Sequence, residues 1–349
     1  MPSGRIQGLD GLRAVAISLV LADHMVVSAV TNGTGEIAPA LGWLGVNVFF
    51  VISGFLITTL LLREQDRRGG MDLQRFYQRR ALRILPVFYL YIGVVALARA
   101  AGWLHFGWHD LLAPSLFAGN LVSRHSWVLG HFWSLSAEEQ FYLLWPAVLL
   151  FAGRRRAALV AAAVWLLSPL WFLLCWHSGL PTLGAWFVDE QFIAAGCLLA
   201  LGHGWLHQQA WYRSLLTPGA AVLWLATLAA LTAVARGTGG GHLARLAMVP
   251  LALLLALLAD AAMTAPAIGR RLDWRPLAWL GTLSYSLYVW QELFFQAGSG
   301  LAAPWNLPAA VAAACLSYYG WERYFLRLKG KYQPRMAGVR VSAATAGRS

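Results

Sequence analysis

The chain has 349 residues, 59% of them hydrophobic and only 12% charged, with a formal net charge of +12. Soluble domains carry about 25% charged residues, so this composition, with a mean hydropathy of +0.57, excludes an ordinary soluble domain and points to an all-α, polytopic membrane protein. The positive balance brings nucleic acid to mind as a partner, but no basic stretch joins a recognisable nucleic-acid module, so no nucleic acid is expected.

Ten apolar segments fall at about 14–31, 42–62, 84–101, 140–153, 157–175, 188–206, 215–235, 244–263, 279–297 and 301–320. A membrane helix needs about 20 such residues. About ten transmembrane helices are therefore expected, in a single transmembrane domain over 1–335, with 336–349 a disordered cytoplasmic tail. No small-residue cleavage site follows the first segment, which reads as a retained helix. No internal repeat stands out. Cys175, Cys197 and Cys315 lie in apolar runs without paired spacing, and read as small core hydrophobes without a disulfide framework.

The first segment opens with Leu9 to His24, LDGLRAVAISLVLADH. Arg13 and His24 are eleven residues apart, which on a helix returns to within about 20° of one face, roughly 16 Å further along. One face thus carries a fixed cation and, about three turns deeper, a titratable imidazole. Ionisable groups in an apolar helix are functional-site candidates; the plainer reading is that Arg13 snorkels to a headgroup and His24 reaches the far interface. In the second segment Gly45, Ser53 and Gly54 thin the helix for close approach, and Asn47 is a polar group near its outer end. Arginines crowd 63–83. Arg80 and Arg83, three apart, are helical neighbours and read either as an inner-face anchor or as a phosphate site, since guanidinium forks match phosphate oxygens. Pro86 suits a first turn or a kink.

The outer loop from about 102 to 139 carries His105, His109, His125 and His131. His105 and His109 have the i, i+4 spacing of a helical zinc pair, but no HExxH and no cysteine accompanies them, and no metal is expected. The loop ends in HFWSLSAEEQFYLLWP. Ser136 and Glu139 have the form of a capping box opening the fourth segment, which itself could begin earlier, around Phe132. Equally, Glu138 and Glu139, flanked by Trp133, Phe141 and Tyr142, could orient sugar hydroxyls on the outer side. The seventh and eighth segments are Ala/Leu-rich and carry almost no chemistry. The ninth brings Ser284, Tyr285, Ser286, Tyr288, Trp290, Gln291 and Glu292; Glu292, deep in an apolar segment, must face protein or a water-filled cavity. With the N-terminus inside, only Arg99, Arg124, Arg236 and Arg245 of the 27 Lys+Arg fall outside. That bias predicts an even number of spans and both termini in the cytoplasm, and it accounts for the net charge as orientation plus attraction to membrane lipid.

Six stretches, in order, resemble the acyltransferase-3 family of integral membrane O-acyltransferases: LDGLRAVAISLVLADH, GVNVFFVISGFLIT, FYQRRALRILPVFYL, FWSLSAEEQFYLLWP, LSYSLYVWQ and WERYFLRLK. Together they cover about residues 8–329. The resemblance implies about ten helices in a bacterial inner membrane and no permanently bound cofactor. It also implies an acetyl-CoA or other short acyl-CoA donor on the cytoplasmic side. Acceptors would be hydroxyls of a cell-envelope glycan (lipopolysaccharide, exopolysaccharide or peptidoglycan), a glycolipid or lipid-linked sugar, or a secondary metabolite such as a macrolide. The family's Arg-x10-His motif falls on Arg13 and His24, its R-x-x-R motif on Arg80 and Arg83, and its glutamate motif on Ser136, Glu138 and Glu139. Many members have Asp where Asn47 stands and His where Gln291 stands. Some carry an additional extracytoplasmic domain, for which no room is expected after residue 335.

Residues and resemblance meet in one expectation. Arg13, Arg80 and Arg83 would hold acyl-CoA phosphates. His24 would act as general base or as a transient acyl carrier. Glu138 and Glu139 would act on the acceptor side, with Ser136, Trp133, Tyr142 and Tyr285 beside them. The rival readings are a glycan flippase, which has no need of the arginine cluster, and a non-catalytic assembly partner, for which His24 would be dispensable.

Overall fold

Residues 6–31, 41–122, 126–180, 187, 189–237, 242–296 and 304–330 are described by a computed structural model, and the regular elements among them are all helical. The long helices are α1 (Leu9–Thr31), α2 (Leu41–Arg68), α3 (Leu73–Ala100), α4 (Phe132–His177), α5 (Glu190–Leu206), α6 (Pro218–Gly237), α7 (His242–Thr264), α8 (Arg275–Trp290) and α9 (Asn306–Ser317). Length and apolarity qualify Leu41–Arg68, Leu73–Ala100 and the run Trp127–His177 to cross a membrane. A fourth span results if Met248–Thr264 and Pro266–Leu272, bent by 84°, count as one. Leu143, Leu144, Phe151, Leu159, Leu166 and Leu167 of α4 all point outward, a surface suited to lipid.

Local sequence explains where the helices start and break. The Asp23 carboxylate accepts from the Leu41 N–H at 3.1 Å, satisfying one of the orphan donors that open α2. Asp72 does the same for Arg75 N–H at 3.0 Å and starts α3. This start lies well before the expected third segment, so Arg75, Arg79, Arg80 and Arg83 all ride on one helix and Pro86 is internal to it. α4 begins at Phe132, as the earlier alternative for the fourth segment allowed. Unbroken, its 46 residues would run about 69 Å. Gly153, at φ +74, divides it into two rods. The tail at 336–349 lies outside the described residues.

Contacts fix the directions. Trp43 meets Asp189 and Phe55 meets His203, so α2 and α5 run parallel. Asp10 meets Gly281 and His24 meets Gln291, so α1 and α8 run parallel, while Asp23 at the start of α2 makes α1 and α2 antiparallel. Arg13, Arg80, Arg83 and Lys329 share one end of the bundle; Asp23, Trp43 and Gln291 lie toward the other. The α2–α5 contact is the tightest kind. A Cβ on Gly54 would overlap the Ile193 carbonyl oxygen, and one on Gly196 would overlap that of Val51, which is the close approach the small residues of the second segment suggested.

That contact can be tested with a matched pair. Gly54→Ala must push two backbones apart and should cost about 1–3 kcal/mol, whereas Gly93→Ala, with nothing within 4 Å of the new methyl, should leave stability unchanged or raise it by about 0.5–1 kcal/mol. Thermal scans of the detergent-solubilised protein read the difference; equal midpoints for the two variants would refute the contact.

Candidate functional site

Two groups of polar side chains occupy the bundle interior, one behind the other along α1. At the basic end, Arg80 and Arg83 project from α3, Arg13 from α1, and Lys329 from the helix Arg323–Lys329 that extends α9. Arg83 faces Arg13, Arg80 and Lys329. The Arg80 guanidinium lies 4.8 Å from the centre of the Tyr142 ring, a cation–π arrangement. Arg79 turns to Glu64 at 3.3 Å. Lys329, beyond the last apolar segment, is pushed down to about 7 by burial and by Arg83, Arg80, Arg79 and Arg13. So many like charges held together call for an anion.

Three carboxylates partly offset these cations. Glu322 accepts from Ser286 Oγ at 2.7 Å and faces Arg13 and Arg83. Glu138 accepts a short hydrogen bond from Ser53 Oγ, which in turn accepts from the Tyr142 hydroxyl at 3.0 Å; Glu138 also faces Arg80 and Arg13. Glu139 lies beside Glu138 and Arg80. Tyr285 donates to the Ile84 carbonyl at 2.7 Å and borders Glu139, Glu322, Arg83 and Glu138.

This geometry corrects the placement of the glutamate motif. Glu138 and Glu139 belong with the arginines, not with an outer acceptor surface. The reason is the helix start. Because α4 opens at Phe132, Ser136 lies one turn inside it and makes no capping box with Glu139. Ser136 Oγ instead donates to the Phe132 carbonyl at 2.7 Å and accepts from Gly119 N–H at 3.0 Å, pinning the preceding loop. Trp133 stands edge-on to Phe50 at 6.0 Å. Among the described residues neither makes a hydrogen bond to the two polar groups.

The second group surrounds His24. Its Nδ1 lies 2.7 Å from Gln291 Oε1. An amide oxygen only accepts, so Nδ1 carries the hydrogen and Nε2 keeps a lone pair. Nε2 lies 3.8 Å from Glu292 Oε1. The other Glu292 oxygen is 2.9 Å from His131 Nδ1 and receives the His131 N–H at 3.4 Å. His131 Nε2 faces the Val289 carbonyl at 3.1 Å. Both His131 nitrogens thus face acceptors. Trp127 packs edge-on against the His24 ring at 5.9 Å. Asp23, one residue from His24, is turned to α2.

The structure therefore brings together Arg13, Arg80, Arg83, Glu138, Glu139, Tyr142 and Tyr285, and sets His24 in a separate group on the same helix. Sequence reading placed Glu292 against protein but missed its pairing with His131, and missed Ser53, Glu322 and Lys329 as members. An ionisable residue in or beside an apolar segment was the available signal for all but Ser53. The loop histidines do not form a zinc pair: His105 precedes the 3-10 turn that holds His109, whose side chain is 86% exposed and meets Asp110 at 3.2 Å; His125 lies outside the described residues. Asn47 is fully buried and donates to the Trp43 carbonyl at 3.0 Å, a role within α2.

The chain is 27% identical over 320 residues to the peptidoglycan O-acetyltransferase OatA of Listeria monocytogenes, covering 82% of this chain and 48% of that protein. It is 31% identical over 321 residues, with the same coverage, to the putative peptidoglycan O-acetyltransferase YrhL of Bacillus subtilis. A putative O-acetyltransferase of Staphylococcus aureus is 36% identical over 157 residues, covering 41% of this chain and 24% of that protein. The chain spans about half the length, or less, of these relatives. No solved structure matches it. A family model described as an acyltransferase domain matches residues 6–321, and the chain belongs to that acyltransferase-3 family.

Proposed function

We propose that the chain is a membrane O-acyltransferase that moves an acetyl or other short acyl group from acyl-CoA to a hydroxyl of a cell-envelope glycan. The names of its relatives make peptidoglycan the first acceptor to test. The observation that carries the reading is the division of the interior along α1: an arginine and lysine cluster fit for phosphates at one end, and a histidine with an available lone pair roughly 16 Å further on. In this reading all ten apolar segments cross a bacterial inner membrane, and the basic end, with both termini, faces the cytoplasm.

The chemistry follows from the two groups. Arg80, Arg83, Arg13 and Lys329 hold the donor's phosphates, and the pantetheine arm spans the distance to His24. The acceptor O–H gives its proton to His24 Nε2 while its oxygen bonds to the thioester carbonyl carbon. The C–S bond then breaks, and the departing thiolate recovers the proton from the imidazolium. Gln291 holds the ring in the tautomer that leaves Nε2 reactive. Glu292 faces the imidazolium as it forms, and His131 holds Glu292 in place. Glu138, Tyr142 and Ser53 position Arg80. An acyl-His24 intermediate uses the same nitrogen, and would appear as label retained on protein quenched in the absence of acceptor.

With labelled acetyl-CoA and purified protein, His24→Ala should bind donor normally and lose about 10²–10⁴ in turnover, the usual range for a general base; Arg80→Ala should bind donor poorly. Wild-type protein that neither binds nor hydrolyses acetyl-CoA, with or without glycan fragments, would overturn the donor assignment and favour a flippase. Glu292→Gln should leave KM unchanged and lower kcat about 10- to 100-fold, since one countercharge at 3.8 Å is worth at most about 4 kcal/mol at an effective dielectric of 20.

Lys329 adds a pH dependence with a definite sign. Held down to about 7, it is charged in the ligand-free protein only below that pH. A bound phosphate raises its proton affinity, so binding above pH 7 draws a proton in. Donor affinity should fall as pH rises from 7 to 9, by at most about tenfold per unit for one proton. Lys329→Arg, charged throughout, should flatten the curve. Isothermal titration at several pH values checks both.

A further inference from the structure

Far from His24, a second constellation of ligating side chains joins α5 to α7. His203 and His207 are four residues apart at the end of α5, and Asp260 of α7 is fully buried. His203 Nε2 lies 3.3 Å from Asp260 Oδ1 and His207 Nε2 2.9 Å from Oδ2. The Tyr212 hydroxyl donates to Oδ2 at 2.7 Å. Within this set the ligand atoms all lie within 4.8 Å of one another. His203 Nε2 and Asp260 Oδ1 are buried and make no hydrogen bond among the described residues.

We propose that His203, His207 and Asp260 form a divalent metal site, suited to zinc, that fastens α5 to α7. Four physical points support it. Tetrahedral zinc, with bonds of about 2.0–2.1 Å, puts neighbouring ligand atoms about 3.3 Å apart; here His203 faces Oδ1 and His207 hydrogen-bonds Oδ2 of the same carboxylate, and the set, all within 4.8 Å, closes on an ion with small side-chain shifts. The i, i+4 histidines offer both Nε2 atoms from one helix face to a carboxylate on another helix. The two imidazole rings sit 4.2 Å apart, a distance at which two imidazolium ions would repel but two neutral ligands of one cation would not. Finally, Tyr212 orients the carboxylate from outside, the second layer that metal ligands usually have. The imidazoles are 35% and 25% exposed, which leaves a route for the ion, while a water or a further ligand completes the four positions.

The site also touches the donor end. Phe55, two residues beyond Ser53 on α2, packs against His203 at 5.7 Å. The clamp therefore backs the stretch of α2 that holds Glu138.

The test uses tag-free protein in detergent, stripped with chelator and then titrated with Zn²⁺ or Co²⁺ alone. The proposal expects about one zinc per chain by elemental analysis after dialysis, a melting midpoint raised by several degrees, and the intense visible bands of tetrahedral Co²⁺. His207→Ala and Asp260→Asn should lose all three, while His105→Ala/His109→Ala, in the exposed outer loop, should keep them. Wild-type protein with no stoichiometric zinc, no shift in midpoint and no Co²⁺ bands at micromolar metal would overturn the site, whatever the variants do. So would full retention of metal by both His207→Ala and Asp260→Asn.

Discussion

A charge inside an apolar bundle persists only where another charge or several hydrogen bonds meet it, and that requirement orders the interior of this protein. Glu292 on the segment after α8 is met by His131 at the start of α4. Glu138 on α4 is met by Ser53 on α2 and by Arg80 on α3. Glu322 is met by Ser286 on α8 and by the arginines of α1 and α3. Asp260 on α7 is met by His203 of α5 and by His207 just beyond its end. Each buried carboxylate therefore ties together helices that no loop joins directly. Removing one partner strands the other, at a cost of roughly 3–5 kcal/mol for a buried pair. The groups to which chemistry is assigned in the proposed function are also fasteners of the bundle, and loss of activity on mutation has to be read beside a binding or stability measurement.

The end of the chain shows how local irregularity serves the same purpose. Between α9 and the last helix, Tyr318–Glu322 form a π-helical turn. Such turns insert an extra residue and are frequent at functional sites. Here the turn directs Glu322 inward to Ser286 while Trp321 donates to the Pro86 carbonyl at 3.0 Å. Tyr285 donates to Ile84 on the same stretch of α3. A proline inside α3 removes a helical donor, and side chains of α8 and the π turn engage the backbone around it. The segment that carries Arg80 and Arg83 is thereby braced from two sides, and Lys329 arrives beside it.

Much of this was legible in the sequence. The helical class, the shared face of Arg13 and His24, the neighbourhood of Arg80 and Arg83, and the inward Glu292 all follow from periodicity and the expense of charge in apolar surroundings. What failed, failed for a physical reason. Ser136 and Glu139 match a capping box locally, but the helix began a turn earlier, where His131 is fixed by a carboxylate 161 residues away. Asp260 lies in an Ala/Leu-rich segment whose own described residues carry no partner for its carboxylate; its histidine partners sit on another helix and at a loop edge. Lys329 is one basic residue among several in the stretch WERYFLRLK, and only the fold sets four arginines around it. In each case the deciding contact is tertiary, and no local pattern encodes it.

Gln291 shows how such a tertiary contact can define a reactive atom. In the resembling family histidine is common at this position, and an imidazole there could donate to or accept from His24, depending on its own protonation. A glutamine oxygen can only accept. With its oxygen turned to His24, Gln291 receives the Nδ1 hydrogen, which leaves Nε2 as the nitrogen that takes a proton or an acyl group in the proposed mechanism. Nε2 then looks toward Glu292, whose own charge is already half engaged by His131. At 3.8 Å the carboxylate is too far to hold a hydrogen bond to the resting ring, yet near enough to favour the imidazolium once it forms. In the proposed mechanism this places a countercharge where positive charge develops on the ring, the differential stabilisation that catalysis requires.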